Sequence, residues 1–166
     1  MKKILVTGGS GFIGSNLVNY LLKKNFFVIN IDKLTYSSNK SKIRSKNYKF
    51  FKIDINDKKK IIQIIYKYNP KVIFNLAAET HVDRSIDSPD SFIHSNILGV
   101  FNILELLRFF KRKKKNIKLI HISTDEVYGD IKHKRSLEQD AFSPSSPYSA
   151  SKASADHLVK SYVRTY

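Results

Sequence analysis

The 166-residue sequence lacks cysteine entirely, which excludes disulfide bridges and thiolate metal sites. It also lacks a long apolar run, because Gly, Ser, Thr and Asn interrupt the uncharged residues 4–22, and this argues against a membrane span. The apolar start at Ile4 ends at Gly8, too early for a secretory signal peptide. These absences predict a soluble cytoplasmic protein without a membrane partner.

Acidic residues are scarce, with 14 against 30 basic ones, and the formal net charge is +16. Such an excess can attract nucleic acid. However, no nucleic-acid recognition motif accompanies it, and the basic run 111–115 falls where a helix should end, a favourable position for cations. We therefore expect no nucleic-acid partner, while the positive field favours a phosphorylated substrate.

Short apolar segments alternate with helical periodicity along the chain. Strands are predicted at Lys3–Thr7, Phe27–Ile31, Tyr48–Ile53, Val72–Leu76 and Ile117–Ile122, and helices at Phe12–Lys24, Asp57–Tyr68, Ser91–Phe110 and from Tyr148 onward. This alternation predicts an α/β protein with a Rossmann-type, doubly wound parallel sheet and helices on both faces. Loops are expected at 33–47 and 130–147, and residues 1–166 are expected to form one domain.

Four of the six glycines, Gly8, Gly9, Gly11 and Gly14, follow the first predicted strand, and the last of them lies in the first turn of the first predicted helix. Glycines in this context allow a sharp turn, a close approach of backbone amides to a pyrophosphate, and tight packing of helix on sheet. An ordinary tight turn is the alternative, but the position after a strand and before a helix favours a dinucleotide site.

Acidic residues follow the next two strands. Asp32 has the spacing of a carboxylate that accepts from the adenosine ribose hydroxyls, and its charge favours NAD over NADP. An ordinary loop aspartate is the alternative at this position. Asp54 and Ile55 are placed to border the adenine, although Asp54 could equally cap the following helix, for which Asn56 and Asp57 are the other candidate caps.

Tyr148 and Lys152 lie one helical turn apart and therefore on one face of a helix. The ammonium group of Lys152, with a positive nicotinamide, should stabilise the phenolate and bring the pKa of Tyr148 below its usual value of about 10. Tyr148 could then accept a proton from a substrate hydroxyl.

The adjacent carboxylates Asp125 and Glu126 follow the fifth predicted strand at its carboxyl end, where open α/β sheets bind ligands. Acting together, one would donate a proton to a leaving hydroxyl and the other would accept a proton from carbon. Thr124 supplies a hydroxyl beside them. The alternative is a pair of solvated loop acids, but combined with Tyr148 and Lys152 the pair indicates a dehydratase with an internal redox cycle. The histidines have no metal-ligand company, so no metal site is predicted.

Together these residues resemble the extended short-chain dehydrogenase/reductase family and, within it, the dTDP-glucose 4,6-dehydratases. The matching segments are residues 7–14, 30–36, 76–85, 124–129 and 148–152. The first and last identify only the wider family, and the middle three narrow it to the dehydratases. Members of the family are considerably longer, so the chain is expected to be an amino-terminal part that lacks the carboxyl-terminal substrate domain.

The resemblance implies specific roles for residues at matching positions. The implied catalytic residues are Thr124, Asp125, Glu126, Tyr148 and Lys152. The implied NAD-binding residues are Gly8, Gly11, Phe12, Ile13, Gly14, Asp32, Lys33, Leu34, Thr35, Asp54, Ile55, Leu76, Ala77, Ala78, Glu79, Thr80, Ser95, Tyr148 and Lys152. Thr80 and Thr124 are the implied contacts to the sugar.

The implied reaction converts dTDP-glucose to dTDP-4-keto-6-deoxyglucose. Hydride passes from C4 to NAD and returns to C6, Glu126 removes the C5 proton, and Asp125 protonates the departing 6-hydroxyl. Alternatives are a nucleotide-sugar 4-epimerase or decarboxylase of the same family, or an inactive NAD-binding fragment. A homodimer is expected, formed by helices Ser91–Phe110 and Tyr148–Tyr166.

Overall fold

A computed structural model of the chain describes residues 1–39, 43–131 and 135–166. Residues 40–42 and 132–134, which fall within the two predicted loops, lie outside the described residues. The chain divides into two compact units. The first contains Met1–Ala77 and Glu105–Ile122, and the second contains Ala78–Leu104 and Ser123–Tyr166.

The first unit is built on a five-stranded parallel sheet in the order β3-β2-β1-β4-β5. The strands are β1 (Lys3–Thr7), β2 (Phe27–Asp32), β3 (Tyr48–Lys52), β4 (Val72–Asn75) and β5 (Lys118–His121). In the register of the sheet, Leu5 on the central strand lies beside Ile29 of β2 and Ile73 of β4. All five predicted strands are present, with ends that differ from the prediction by at most one residue.

Helices cover both faces of this sheet. Side chains of a strand alternate between faces, and Leu5, Ile29 and Ile73 pack against α2 (Lys58–Tyr68) and the end of α5 (Gly99–Arg112). Ile4, Val6 and Val28 point to the other face and pack against α1 (Phe12–Lys23). The prediction of a Rossmann-type sheet with helices on both faces is therefore confirmed.

Local signals explain where α2 begins and ends. Asp57 is the N-cap, and its carboxylate accepts a hydrogen bond from the Lys60 amide at 3.1 Å. Asn69 closes the helix in the left-handed conformation, with φ of 48°, which asparagine adopts more readily than most residues. Pro70 follows and cannot continue a helix.

The second unit contains mainly helices. They are α3 (Val82–Asp87), α4 (Asp90–Phe92), a π-helical segment (Ile93–Leu98), the start of α5, a 3₁₀ turn (Asp125–Tyr128) and α6 (Pro147–Thr165). The sequence patterns did not predict α3 or the 3₁₀ turn, which are too short to develop a periodic apolar face. They predicted Ser91–Phe110 as one regular helix, whereas its amino-terminal part is π-helical.

A capping box begins α6. The Ser146 hydroxyl accepts from the Ser149 amide at 3.0 Å, and the Ser149 hydroxyl accepts from the Ser146 amide at 2.8 Å. Pro147 occupies the first helical position, where its missing N–H removes no helical hydrogen bond. These residues fix the start of the helix immediately before Tyr148.

One helical stretch, Asp90–Arg112, is long and apolar enough to cross a membrane by length and composition alone. Within its most apolar window, 44% of the residues are buried inside the structure. A core helix of a soluble protein passes the same test, so this is weak support for a membrane span.

Candidate active site

The glycine turn of the first unit brings backbone segments closer than any side chain would allow. Gly8 leaves β1 with φ of +70°, and a Cβ atom there would lie 2.6 Å from the amide nitrogen of Ala77. A Cβ atom on Gly14 would lie 2.1 Å from the Gly8 carbonyl oxygen. The Gly8 amide donates to the Ile31 carbonyl at 2.9 Å and ties the turn to β2. Two of the predicted glycine roles, the sharp turn and the close helix approach, are therefore present.

The amino terminus of α1 is open to an anionic ligand. Gly11 is its N-cap, and no side chain of the described residues caps it by hydrogen bonding. Its first turn contains no acidic residue, and Phe12 and Ile13 are largely exposed. Unsatisfied amides and the helix dipole favour a negative charge at such an end. This arrangement fits a pyrophosphate.

Asp32 joins the glycine turn to the segment after β2. Its Oδ2 accepts from the Ser10 amide at 2.9 Å, and its Oδ1 accepts from the Leu34 amide at 2.8 Å and the Ser38 hydroxyl at 3.4 Å. Asp32 is only 8% exposed. Because Oδ2 has one donor among the described residues, it retains capacity to accept from a ribose hydroxyl.

The segment after β3 has a more structural character. Asp54 Oδ1 accepts from the backbone amide of Asn56 at 2.8 Å, which forms a local turn. Of the candidates for the N-cap of α2, the structure has Asp57 rather than Asp54. Ile55 is 5% exposed, so most of its side chain belongs to the core.

A polar chain that the sequence analysis missed lies at the carboxyl ends of the central strands. The Thr7 hydroxyl donates to Asn75 Oδ1 at 2.6 Å, and Asn75 Nδ2 lies 3.0 Å from His121 Nδ1. The Ala77 amide donates to the Thr7 hydroxyl at 3.4 Å. These contacts hold the start of the predicted cofactor segment Leu76–Thr80. In the sequence, the polar residue that ends each of these strands was the feature that could have indicated this chain of contacts.

In the second unit, Asn96 holds the next part of that segment. It accepts from the Glu79 amide and donates to the Glu79 carbonyl, both at 2.9 Å, and also donates to the Ser151 hydroxyl at 2.9 Å. Asn96 is buried in the π-helical segment beside Ser95, a predicted cofactor contact. Single π-helical turns within α-helices are frequent at functional sites. Ala78 and Glu79 are half-buried, and Thr80 is exposed.

Tyr148 and Lys152 both lie on α6 and are buried. The Tyr148 amide donates to the Ser85 hydroxyl at 3.1 Å, and its ring packs edge-on against Phe92 with 6.2 Å between ring centroids. The Ser151 hydroxyl donates to the Tyr148 carbonyl at 2.7 Å. Ser85, which sequence reasoning did not single out, therefore helps to fix the tyrosine.

Thr124, Asp125 and Glu126 form the start of the 3₁₀ turn. The Thr124 hydroxyl accepts from the Glu126 amide and donates to Asp125 Oδ1, both at 3.3 Å. Both carboxylates are exposed. Thr124 also hydrogen-bonds the side chain of Tyr148, and the charges of Glu126 and Asp125 act on the Tyr148 phenol. The structure thus brings these four predicted catalytic residues into one electrostatic group.

The pKa of Tyr148 is raised above its usual value, mainly because burial disfavours the phenolate. The Thr124 hydrogen bond lowers this pKa, and the negative charges of Glu126 and Asp125 raise it further. The predicted lowering of this pKa assumed a bound, positive nicotinamide beside Lys152 and stays a prediction; in the protein without NAD, burial dominates the pKa of Tyr148. The pKa of Lys152 is itself lowered by burial, an effect that Asp156 opposes.

No group of three or more His, Asp or Glu side chains among the described residues could hold a metal ion.

The parallel sheet with its glycine turn, and the helix carrying Tyr148 and Lys152, define a Rossmann-type protein of the extended short-chain dehydrogenase/reductase class. A family model for GDP-mannose 4,6 dehydratase matches residues 5–166. The chain belongs to this family.

Curated proteins that are similar to the chain are also nucleotide-sugar 4,6-dehydratases. The chain is 46% identical to the dTDP-glucose 4,6-dehydratase of Salmonella typhimurium, over 99% of the chain and 51% of the relative. It is 48% identical to that of Haemophilus influenzae, over 100% of the chain and 53% of the relative. The chain therefore spans about half the length of the curated relatives it matches.

Solved structures include both dehydratases and epimerases. A dTDP-glucose 4,6-dehydratase of Streptomyces venezuelae with NAD bound superposes with a TM-score of 0.91 at 35% identity, over 99% of the chain and 52% of that structure. A UDP-glucose 4-epimerase of Thermus thermophilus in complex with NAD gives 0.88 at 32% identity, over 99% and 51%. The shared fold leaves the choice of reaction to the site residues.

Proposed function

We propose that the chain carries the NAD site and the catalytic residues of a dTDP-glucose 4,6-dehydratase. The main support is the electrostatic group in which Thr124, Asp125 and Glu126 all act on the buried Tyr148 phenol. The names of the curated relatives support the same substrate. In this proposal residues 1–166 supply the Rossmann part, and the remaining length of the relatives corresponds to most of the nucleotide-sugar pocket.

The first unit would bind NAD at the glycine turn and at Asp32. The turn accommodates a ligand that needs close backbone approach, the open end of α1 suits a pyrophosphate, and Oδ2 of Asp32 suits a ribose hydroxyl. The remaining predicted cofactor residues stay predictions. When bound, NAD would accept hydride from C4 of the sugar and return it to C6.

Side chains of the second unit would carry out the proton transfers. Tyr148 would accept the proton of the C4 hydroxyl, which requires a phenolate although burial favours the phenol. The Thr124 hydrogen bond lowers the pKa of Tyr148 and so partly offsets the effect of burial. Glu126 would remove the C5 proton once C4 is a ketone, and Asp125 would protonate the C6 hydroxyl that leaves as water. As hydride reaches C6, Glu126 would return its proton to C5, and the proton taken up by Tyr148 would restore the acid form of Asp125 through solvent, so that the sugar loses one water and the three side chains return to their starting states.

A nucleotide-sugar 4-epimerase is the second candidate, because epimerases are also among the similar structures. That reaction needs no acid–base pair acting on C5 and C6. To decide between them, the protein is incubated with NAD and dTDP-glucose, and products are examined by mass spectrometry. Loss of water from the sugar supports the dehydratase, whereas an isomeric product would refute it. NAD binding without turnover would indicate an inactive NAD-binding fragment.

A Glu126→Gln variant tests the role of this carboxylate. We expect NAD affinity to stay close to that of the parent, while exchange of the C5 hydrogen with deuterated solvent is lost. Glu138→Gln is the matched control, since Glu138 is also exposed and lies outside the proposed site. Normal C5 exchange in Glu126→Gln would remove this residue from its role.

We also propose that the protein is a cytoplasmic homodimer. Helical segments of the second unit expose Ile93 at 44%, Leu98 at 41% and Phe101 at 37%, and α6 exposes Val163 at 78%. A second copy could cover these apolar side chains. Analytical ultracentrifugation should give a dimer for the parent and a smaller species for Val163→Lys. A monomeric parent at micromolar concentration would contradict the proposal.

A further inference from the structure

Asp156 lies one helical turn after Lys152 on α6, so the two side chains share a face of the helix. Neither the motif patterns nor the resemblance assigns Asp156 a role. Lys152 is only 5% exposed, and burial to this extent disfavours the charged ammonium group, which a neighbouring negative charge stabilises. Asp156 is in the position to supply it.

Asp156 is also fixed from outside its own helix. The Ser123 hydroxyl donates a short hydrogen bond to Asp156 Oδ2. Ser123 directly precedes Thr124, whose hydroxyl contacts Asp125 and whose side chain hydrogen-bonds Tyr148. One carboxylate therefore joins the segment that carries the acidic pair to the helix that carries the tyrosine and lysine.

We propose that Asp156 is a positioning residue that keeps the Lys152 ammonium group charged and holds α6 to the Ser123–Glu126 segment. This inference rests on the proposed function for its catalytic meaning. A charged Lys152 would favour the phenolate that Tyr148 needs in order to accept a proton. Asp156 acts through Lys152 and is not assigned a contact with the substrate.

Other charged groups lie on the elements that pack against α6 in this unit. The charged and titratable ones are Asp83, Arg84 and Asp87 on α3, Asp90 on α4, His94 in the π-helical segment, and Asp125, Glu126 and Tyr128 in the 3₁₀ turn. Of the described ionisable groups, Asp156 alone is identified as shifting the pKa of Lys152, and it shifts it upward against the effect of burial. The charge of Asp156 is thus the one whose removal should be felt at Lys152.

The test measures the titration of the Lys152 side chain by NMR correlation of lysine Cε and Nζ in the full chain, with the signal assigned by its loss in Lys152→Arg. In Asp156→Asn we expect the Lys152 midpoint to move to lower pH. In Asp156→Glu, which keeps the charge, we expect it to move back toward the parent value. Asp83→Asn is the matched control, because Asp83 lies on a packed helix and does not shift Lys152; its midpoint should equal that of the parent.

An unchanged Lys152 midpoint in folded Asp156→Asn would overturn the proposal. If that variant does not fold, Ser123→Ala decides, because it removes the Ser123–Asp156 hydrogen bond and leaves the charge of Asp156 in place. A shift of the Lys152 midpoint to lower pH in Ser123→Ala supports the proposal, and an unchanged midpoint overturns it. The titration needs neither NAD nor substrate. Failure of the dehydratase proposal would appear separately, as absent NAD binding or the wrong product.

Discussion

Replacing Gly14 with alanine tests the close approach of α1 to the glycine turn. An added Cβ would lie 2.1 Å from the Gly8 carbonyl oxygen and 2.8 Å from the Gly9 Cα, both of them backbone atoms. Neither atom can rotate away as the end of a flexible side chain could, so the turn or the helix must move. Overpacking of this kind costs about 3 kcal/mol at the upper end of the usual range.

The intrinsic preference of the helix acts in the opposite direction. Gly14 lies within α1, and exchanging glycine for alanine inside a helix normally stabilises a protein by about 1 kcal/mol. The difference predicts a net loss of about 2 kcal/mol for Gly14→Ala. For a chain of this size each 1 kcal/mol lowers Tm by about 2–4 °C, so we expect a fall of about 4–8 °C.

Differential scanning calorimetry of Gly14→Ala and Gly11→Ala provides the comparison. Gly11 is the N-cap of α1 in an extended conformation, and its added Cβ would come no closer than 3.3 Å to the Gly8 carbonyl oxygen. The expected cost there is about 0.5–1 kcal/mol, that of a poorer N-cap residue. If Gly14→Ala melted at or above the temperature of the parent, helix preference would dominate and the close approach would be refuted.

Three further changes have defined outcomes. Because the pKa of Tyr148 is raised in the folded protein, the contribution of this phenol to stability is present below pH ~10 and is lost as the pH rises through the folded pKa. The free energy of unfolding of Tyr148→Phe, measured with urea, should therefore fall less steeply above pH ~10 than that of the parent. Parallel curves for the two proteins would contradict this. Ser146→Ala removes the N-cap of α6 and should cost about 1 kcal/mol by the same measurement, whereas Ser145→Ala, which caps nothing, should cost less. Asn96→Ala leaves the Glu79 amide and carbonyl without their side-chain partner and should cost about 1–3 kcal/mol; a change below ~0.5 kcal/mol would show that solvent replaces those contacts.

The centre of the sheet was predictable because β1 and β2 are buried on both faces and have short apolar runs. Leu5, Ile29 and Ile73 come from three different segments, yet each lies in such a run, and the alternation with helices then determines a parallel order. The sharp turn at Gly8 was predictable for a similar reason, since it depends on a few adjacent residues, while the ribose-binding role of Asp32 stays a prediction.

Residues that act over long separations were not predictable. Ser85 accepts from the Tyr148 amide across 63 positions, and Asn96 donates to Ser151 across 55. Neither belongs to a local pattern, because the partner is supplied only by the tertiary fold. The burial that raises the Tyr148 pKa was not predictable either, since it depends on α6 packing against segments that are distant in the sequence.

The central position of β1 has a consequence for how the chain folds. β1, which precedes both of its neighbours in the chain, pairs on one side with β2 but on the other with β4, where Ile4 lies beside Val72. One edge of the amino-terminal strand must therefore wait for almost seventy further residues before its backbone groups are paired. Contacts of such long range form slowly. We expect pulsed hydrogen-exchange during refolding to protect the β1–β2 ladder before the β1–β4 ladder, and simultaneous protection of both would contradict this order.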